Sequence, residues 1–95
     1  MHELSLVSQL VRKVEAIAQE HHAPKVVAVS VRLGALSSIS ADHLREHFVH
    51  AAQGTLAEGA RLDVEALADT GDPLAQEVFL VSIEMEIEAA PGFRV

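Results

Sequence analysis

The chain reads as an α+β domain in which two helices pack on a three-stranded mixed sheet, in the order helix, strand, helix, strand, strand. Three observations predict it. Apolar residues recur at three- and four-residue intervals in two stretches and at every second residue in three others. Each predicted helix therefore has one apolar face and the sheet has at least one, and two helices lying on one side of the sheet bury them together. With 95 residues there is material for one core, so residues 1–95 are expected to form a single domain.

In the first helix, Val7, Leu10, Val11, Val14, Ile17 and Ala18 draw one stripe that Leu4 extends upstream, while Gln9, Arg12, Lys13, Gln19 and Glu20 fall mainly on the other side. His21 and His22 are expected in its last turn, where protonated imidazoles suit the negative helix end, and Pro24 prevents continuation. Residues 25–33 form the first strand, with Val27, Val29, Val31 and Leu33 on one face and Gly34 ending it. Ser37, Ser38 and Ser40 offer capping oxygens for a second helix at roughly 40–53, with Asp42 near its positive end and Leu44, Phe48 and Ala51 on its apolar side. Gly54 closes that helix and Gly59 marks a turn before a second strand at 61–68, where Leu62, Val64 and Ala66 alternate with Asp63 and Glu65. Residues 69–76 are a loop. In the last strand Phe79, Val81, Ile83, Met85 and Ile87 share one face, and Ser82, Glu84, Glu86 and Glu88 share the solvent face. The short loop predicts an antiparallel hairpin of the last two strands, whereas the first two, joined through a helix, suit parallel pairing. Pro91 and Gly92 are expected to begin a loosely held tail.

Composition removes several classes of function. Apolar residues make up 49% but aromatic ones only 3%, so the interior is built from Val, Leu, Ile and Ala, as in a globular protein. A net charge of −7 with no basic cluster argues against nucleic acid as a partner. The chain has no cysteine, which excludes disulfides, iron-sulfur clusters and thiolate zinc sites. No apolar run approaches membrane-spanning length and no secretory pattern opens the chain, so no membrane role and a cytoplasmic location are the default expectations. There is no glycine-rich phosphate loop, no cysteine nucleophile and no serine with an evident triad, so the chain is not read as an enzyme.

The stretch Met1-His2-Glu3 carries the sequence's sharpest chemistry. A free α-amine, the backbone nitrogens of His2 and Glu3 and the His2 imidazole can all reach one ion. Four nitrogens in a plane suit Ni(II) or Cu(II). The bulk of His2 disfavours trimming of the initiator, so Met1 is expected to stay and supply the amine. His43, His47 and His50 form a second stripe at i, i+4 and i+7. Two histidines at i and i+4 can share a metal, but no dedicated acidic or sulfur ligands accompany them, and they read as the solvated flank of a half-exposed helix. Met1, His2 and Glu3 are thus the candidate metal ligands.

Several stretches, taken in order and at their separations, resemble the hydrogenase nickel-incorporation proteins of the HypA/HybF family. They are Met-His-Glu-Leu-Ser-Leu at the start, Leu33-Gly34-Ala35-Leu36-Ser37, Gly54-Thr-Leu-Ala-Glu-Gly-Ala-Arg-Leu62 and Ser82-Ile83-Glu84-Met85-Glu86. The resemblance implies a metallochaperone that delivers Ni(II) to the large subunit of nickel-iron hydrogenase together with an accessory GTPase, and in some bacteria also serves urease. It also implies that His2 is the indispensable side-chain ligand, with Met1 contributing its amine and Glu3 its backbone nitrogen. Members of the family normally carry a zinc module on two Cys-x-x-Cys pairs between the last two strands. Here the loop 69–76 stands in that position, so no structural zinc is expected and partner docking through the module is in question. The competing reading is a metal-independent interaction module that keeps the fold but not nickel delivery. One outcome separates the histidine-rich helix from the N-terminus: a double replacement, His43→Ala with His47→Ala, leaves high-affinity Ni(II) binding unchanged in a calorimetric titration, and its loss would place the site on the second helix.

Overall fold

The computed structural model describes residues 3–86, with side chains from Ser5 onward. Five elements follow in chain order: α1 (Glu3–Glu20), β1 (Lys25–Leu33), α2 (Ala41–Ala51), β2 (Arg61–Ala66) and β3 (Val78–Glu86). The strands form one mixed sheet in the order β2-β1-β3, and the expected architecture of two helices on a three-stranded sheet is the one found.

The stripe read along α1 is its buried face: Val7, Val11, Val14 and Ala18 are buried, with Leu6 and Leu10 half-buried against the core. The helix stops at Glu20, immediately before the histidine pair. The His22 N–H donates to the Gln19 carbonyl (3.0 Å) and the Ala23 N–H to the Ala18 carbonyl (2.9 Å), the paired bonds of a Schellman cap. His22 accordingly has φ 55°, a left-handed conformation that a side chain with a Cβ adopts at a cost. The two histidines therefore close the helix through their backbones, not through imidazoles placed in its last turn.

In β1 the side-chain alternation slips once. Val26 pairs with Met85 and Ala28 with Glu84, so Val27 is an extra residue on β1, a bulge that turns all residues before it to the other face. Val26 is fully buried and Val27 only half-buried, which corrects the expected inward set to Val26, Val29, Val31 and Leu33. A second bulge falls on β3, where Ser30 pairs with Ser82 but Val31 with Leu80, leaving Val81 as the extra residue. The inward residues of β3 are thus Val78, Leu80, Ile83 and Met85, while Phe79 and Val81, expected inside, lie off the core. Ile87 and Glu88 lie outside the described residues.

The expected hairpin is not formed. β1 pairs in parallel with β2, from Ala28 opposite Arg61 to Leu33 opposite Ala66, and antiparallel with β3, so β2 and β3 occupy opposite edges. The physical reason lies in the strands. β1 has five of its nine residues buried and suits the centre, whereas β2 and β3 carry Arg61, Asp63, Glu65, Glu84 and Glu86, which water solvates best at edges. Residues 67–77 must consequently cross the end of β1. The Leu67 N–H donates to the Leu33 carbonyl (2.9 Å), the Gly34 N–H to Glu77 (2.9 Å) and the Leu36 N–H to Ala75 (2.7 Å). Asp69 Oδ1 and Asp72 Oδ1 accept the Gly71 and Leu74 N–H groups within the crossing segment. It passes so close that a Cβ at Gly34 would fall 2.5 Å from the Ala75 carbonyl carbon and 2.9 Å from the Glu77 carbonyl oxygen.

α2 begins where its serine cap predicts, with Ser40 Oγ accepting the His43 N–H at 3.2 Å. It buries Leu44 and Phe48, and the next buried residue is Ala52, with Ala51 half-buried. The turn that follows is held at two points: Glu15 Oε2 of α1 accepts the Leu56 N–H (3.0 Å), and the Leu56 carbonyl accepts the Val26 N–H (2.8 Å). Gly54 and Gly59 in this turn both have φ 79°, as their placement in turns requires.

Two substitutions test these backbone constraints in opposite directions. Gly34→Ala pushes the crossing segment off β1 and lowers stability by about 3 kcal/mol in urea denaturation. His22→Gly relieves the left-handed strain, stabilises by about 1 kcal/mol and raises the melting temperature by about 4–8 °C in a domain of this size.

Candidate metal centre

Of the three predicted ligands, Met1 and His2 lie outside the described residues, and Glu3 is the first residue of α1. What the fold supplies at this point is a platform. The first backbone N–H groups of a helix have no intrahelical acceptor, so a nitrogen at Glu3 can bind a metal without breaking a helix bond. The positive end of the helix dipole opposes a cation there, by roughly 0.3–1 kcal/mol at an exposed site. Backbone nitrogens that lose their protons on coordination carry negative charge, which offsets this repulsion.

The connections decide what else lies at that end of the domain. α1 runs into β1 through residues 21–24, and β1 runs into α2 through residues 34–40. Both helices therefore run opposite to β1 and parallel to each other. The start of α1, the start of α2 and the crossing segment 67–77 all gather where β1 ends. Leu6, in the second turn of α1, lines one cleft with Leu36, Ser38, Gln76, Glu77 and Val78 and another with Gln9, Leu10, Lys13, Glu77, Val78 and Leu80. The exposed carboxylate of Glu77 is thus placed beside the first turns of α1. Nothing in the sequence signals it, because it stands more than seventy positions from the N-terminal motif.

The remaining histidines separate into two groups. His21 and His22 follow an 18-residue helix, which at about 1.5 Å per residue sets them roughly 27 Å from Glu3. They cannot share an ion with it. His43, by contrast, lies in the first turn of α2 and so at the same end of the domain as Glu3. It is exposed, His47 is half-buried, and their ring centroids are 6.2 Å apart with the planes tilted by 48°. His50 is exposed near the other end of α2. Among the described residues, no three or more His, Asp or Glu side chains converge as a metal-binding group.

The acidic residues of the open sheet face are partly engaged already. Arg32 Nε pairs with Glu65 Oε1 at 2.9 Å and Arg61 Nε with Asp63 Oδ2 at 3.0 Å, both exposed and each worth at most about 1 kcal/mol. Glu84 stands opposite Ala28 and Glu86 opposite Lys25, on the solvent side as expected from the alternation.

A family model described as hydrogenase/urease nickel incorporation, metallochaperone, HypA matches residues 1–71. The chain belongs to the HypA family. The matched stretch includes the Met1-His2-Glu3 motif and continues through α1, β1, α2 and β2 into the crossing segment. Among relatives, the hydrogenase maturation factor HypA of Desulfitobacterium hafniense is 39% identical over 71 residues, covering 75% of this chain and 62% of the relative. The HypA of Nitrosospira multiformis is 36% identical over 89 residues, covering 94% of this chain and 73% of the relative. The chain thus spans less than two thirds of the length of the first of these HypA proteins. The solution structure of the Ni metallochaperone HypA from Helicobacter pylori superposes with a TM-score of 0.79 over 93% of this chain and the whole of that one. At 23% identity this likeness bears on the fold, which the two share. No helix among the described residues is long and apolar enough to cross a membrane.

Proposed function

We propose that this HypA-family chain is a carrier of Ni(II), held by the Met1 amine, the backbone nitrogens of His2 and Glu3 and the His2 imidazole. The observation that carries the reading is that the nickel-incorporation family matches from residue 1, so the one stretch with square-planar nitrogen chemistry is part of the matched sequence. Support also comes from α1 beginning at Glu3, where backbone nitrogens are not committed to the helix. A planar nitrogen set gives Ni(II) a strong field and leaves the ion at the surface, where a recipient site can approach it. The ion is cargo, and the chain's residues hold and release it without catalysing a reaction. The recipient in this reading is the large subunit of nickel-iron hydrogenase, and in some bacteria urease, with an accessory GTPase as the working partner in the cytoplasm.

In the same reading residues 1–95 are a single nickel-binding domain, and the segment around 69–76 takes the place of the zinc module of other members. The cysteine-free sequence leaves no thiolate ligands for such a module. The family match ends at residue 71, inside the segment that crosses from β2 to β3. That observation also supports a second reading, in which the domain keeps the fold as a metal-independent interaction module whose docking surface differs from that of other members.

Ni(II) titration of three proteins distinguishes the readings: the native chain, His2→Ala and a version with residues added before Met1. The native chain binds tightly, and both variants lose at least about tenfold in affinity because each removes or blocks one of the four nitrogens. Binding by the native chain weakens as pH falls from about 8 to about 6, because protons compete with the ion for the amine and imidazole nitrogens, whose reference values lie in this range. Equal affinity in all three proteins would exclude the N-terminal site. Capture of maturation partners that is indifferent to chelator and to His2→Ala would favour the interaction module.

A further inference from the structure

We infer that His43 and His47 form a second metal site, on the flank of α2, which takes one divalent transition ion through two imidazole nitrogens. The inference does not rest on the N-terminal nickel site, whose donors belong to other residues. Residues four apart on a helix stand one above the other, with Cβ atoms about 5–6 Å apart, and here the helix itself is held in place. Ser40 Oγ accepts the His43 N–H at 3.2 Å and fixes the first turn. Leu44 and Phe48, each one position after a histidine, have 0% and 1% of their surface exposed. These two anchors set the rotation of α2 about its axis, so both imidazoles stay on the same flank beside the buried stripe.

The ring geometry fits one shared ion. The His43 and His47 ring centroids lie 6.2 Å apart, with the planes tilted by 48°. A metal–nitrogen bond of about 2.0–2.1 Å puts the ion about 3.2 Å from each ring centre. Two imidazoles on one ion then have centres about 4.5 Å apart in adjacent positions and about 6.4 Å apart in opposite ones. The observed separation falls within that span, so side-chain rotation alone, without movement of the helix, brings both nitrogens to a single ion. Imidazole nitrogen suits zinc, copper and nickel. Among the described residues no third His, Asp or Glu completes the set, so the remaining positions fall to water and the ion stays exchangeable. A closed structural centre differs in surrounding its ion with four protein ligands.

Charge at the site is mixed. The start of α2 carries the positive end of the helix dipole, and Arg45 stands between the two histidines in sequence; both oppose a cation. Arg45 Nη1 lies 3.7 Å from Asp42 Oδ1, and the exposed Glu46 adds a second carboxylate one position before His47. In a chain of net charge −7 these carboxylates offset the opposition. The other histidines lack the arrangement. His21 and His22 are adjacent and do not face each other as helical neighbours do, and His50 is exposed one turn beyond His47.

Calorimetric titration with Zn(II) tests the site, since an ion that prefers a tetrahedral set is poorly served by four nitrogens in a plane at the N-terminus. The native chain binds one Zn(II) with half-saturation below about 1 mM. His43→Ala and His47→Gln each weaken this step at least about tenfold, whereas His50→Ala, His2→Ala and a double His21→Ala, His22→Ala replacement leave it unchanged. Zn(II) also raises the unfolding temperature of the native chain, and a chelator reverses the rise, because the folded helix holds the two nitrogens within reach of one ion. His43→Ala, at an exposed position, removes that rise while leaving the metal-free protein folded. No Zn(II) step up to about 1 mM, or a step that survives His43→Ala, would overturn the proposal, as would a loss in His50→Ala equal to that in His47→Gln. Because His2→Ala removes nickel capture but not this step, failure of either site is read separately.

Discussion

The structure depends on a close approach of two backbones at the end of β1. Having formed β2 on one side of the central strand, the chain reaches β3 on the other by passing over Leu33 and Gly34. There three backbone hydrogen bonds, to Leu33 and from Gly34 and Leu36, hold it in place. The crossing is possible because Gly34 has no Cβ, the space for which is filled by the Ala75 and Glu77 carbonyl groups. From this follow the strand order, the central position of the apolar strand and the exposure of the two charged strands as edges. The crossing also buries Ala75 and sets Glu77 beside the start of α1.

Packing above the sheet is governed by two single-residue insertions. Val27 on β1 and Val81 on β3 each shift the side-chain phase by one. Together they align Val26, Val29, Val31 and Leu33 with Met85, Ile83, Leu80 and Val78 on one face. That face receives the stripe of α1 and the Leu44 and Phe48 side chains of α2. The helices cover the sheet most fully over β1, so the inward side of β3 is covered only in part. This uneven cover leaves a half-buried apolar margin along β3.

At the other level of organisation, three separate parts of the chain converge on one end of the domain. The start of α1 at Glu3, the first turn of α2 with His43 and the crossing segment with Glu77 meet there because each helix is tied to β1 by a short connection. The helix N-terminus is an unusual place for a cation, and the dipole there acts against it. A site built from backbone nitrogens is suited to this position, since those nitrogens lack helix partners and acquire charge on binding. The Glu15 carboxylate, which holds the Leu56 N–H, has a structural role at the opposite end and stands apart from this convergence.

Local and periodic features were legible in the sequence. The stripe of Val7, Val11, Val14 and Ala18, the Ser40 cap and the turns at Gly54 and Gly59 all depend on residues a few positions apart, and their physics is written in that spacing. The chelating character of Met1-His2-Glu3 is likewise a property of three adjacent residues, as is the absence of thiolate ligands. The parallel pairing of β1 with β2 was legible from the helix between them, but the place of β3 was not, because a short loop between β2 and β3 is compatible both with a hairpin and with a crossing, and only competition for the centre of the sheet selects between them. Nor were the bulges, since one extra residue leaves composition and apparent alternation almost unchanged while exchanging the faces. The sequence by itself thus determined the elements, the fold class and the nitrogen-rich N-terminus. The tertiary structure decided the strand order, the inward set of each strand and the approach of Glu77 and His43 toward the start of α1, because these rest on contacts between residues far apart in the chain, whose free energy no local pattern encodes.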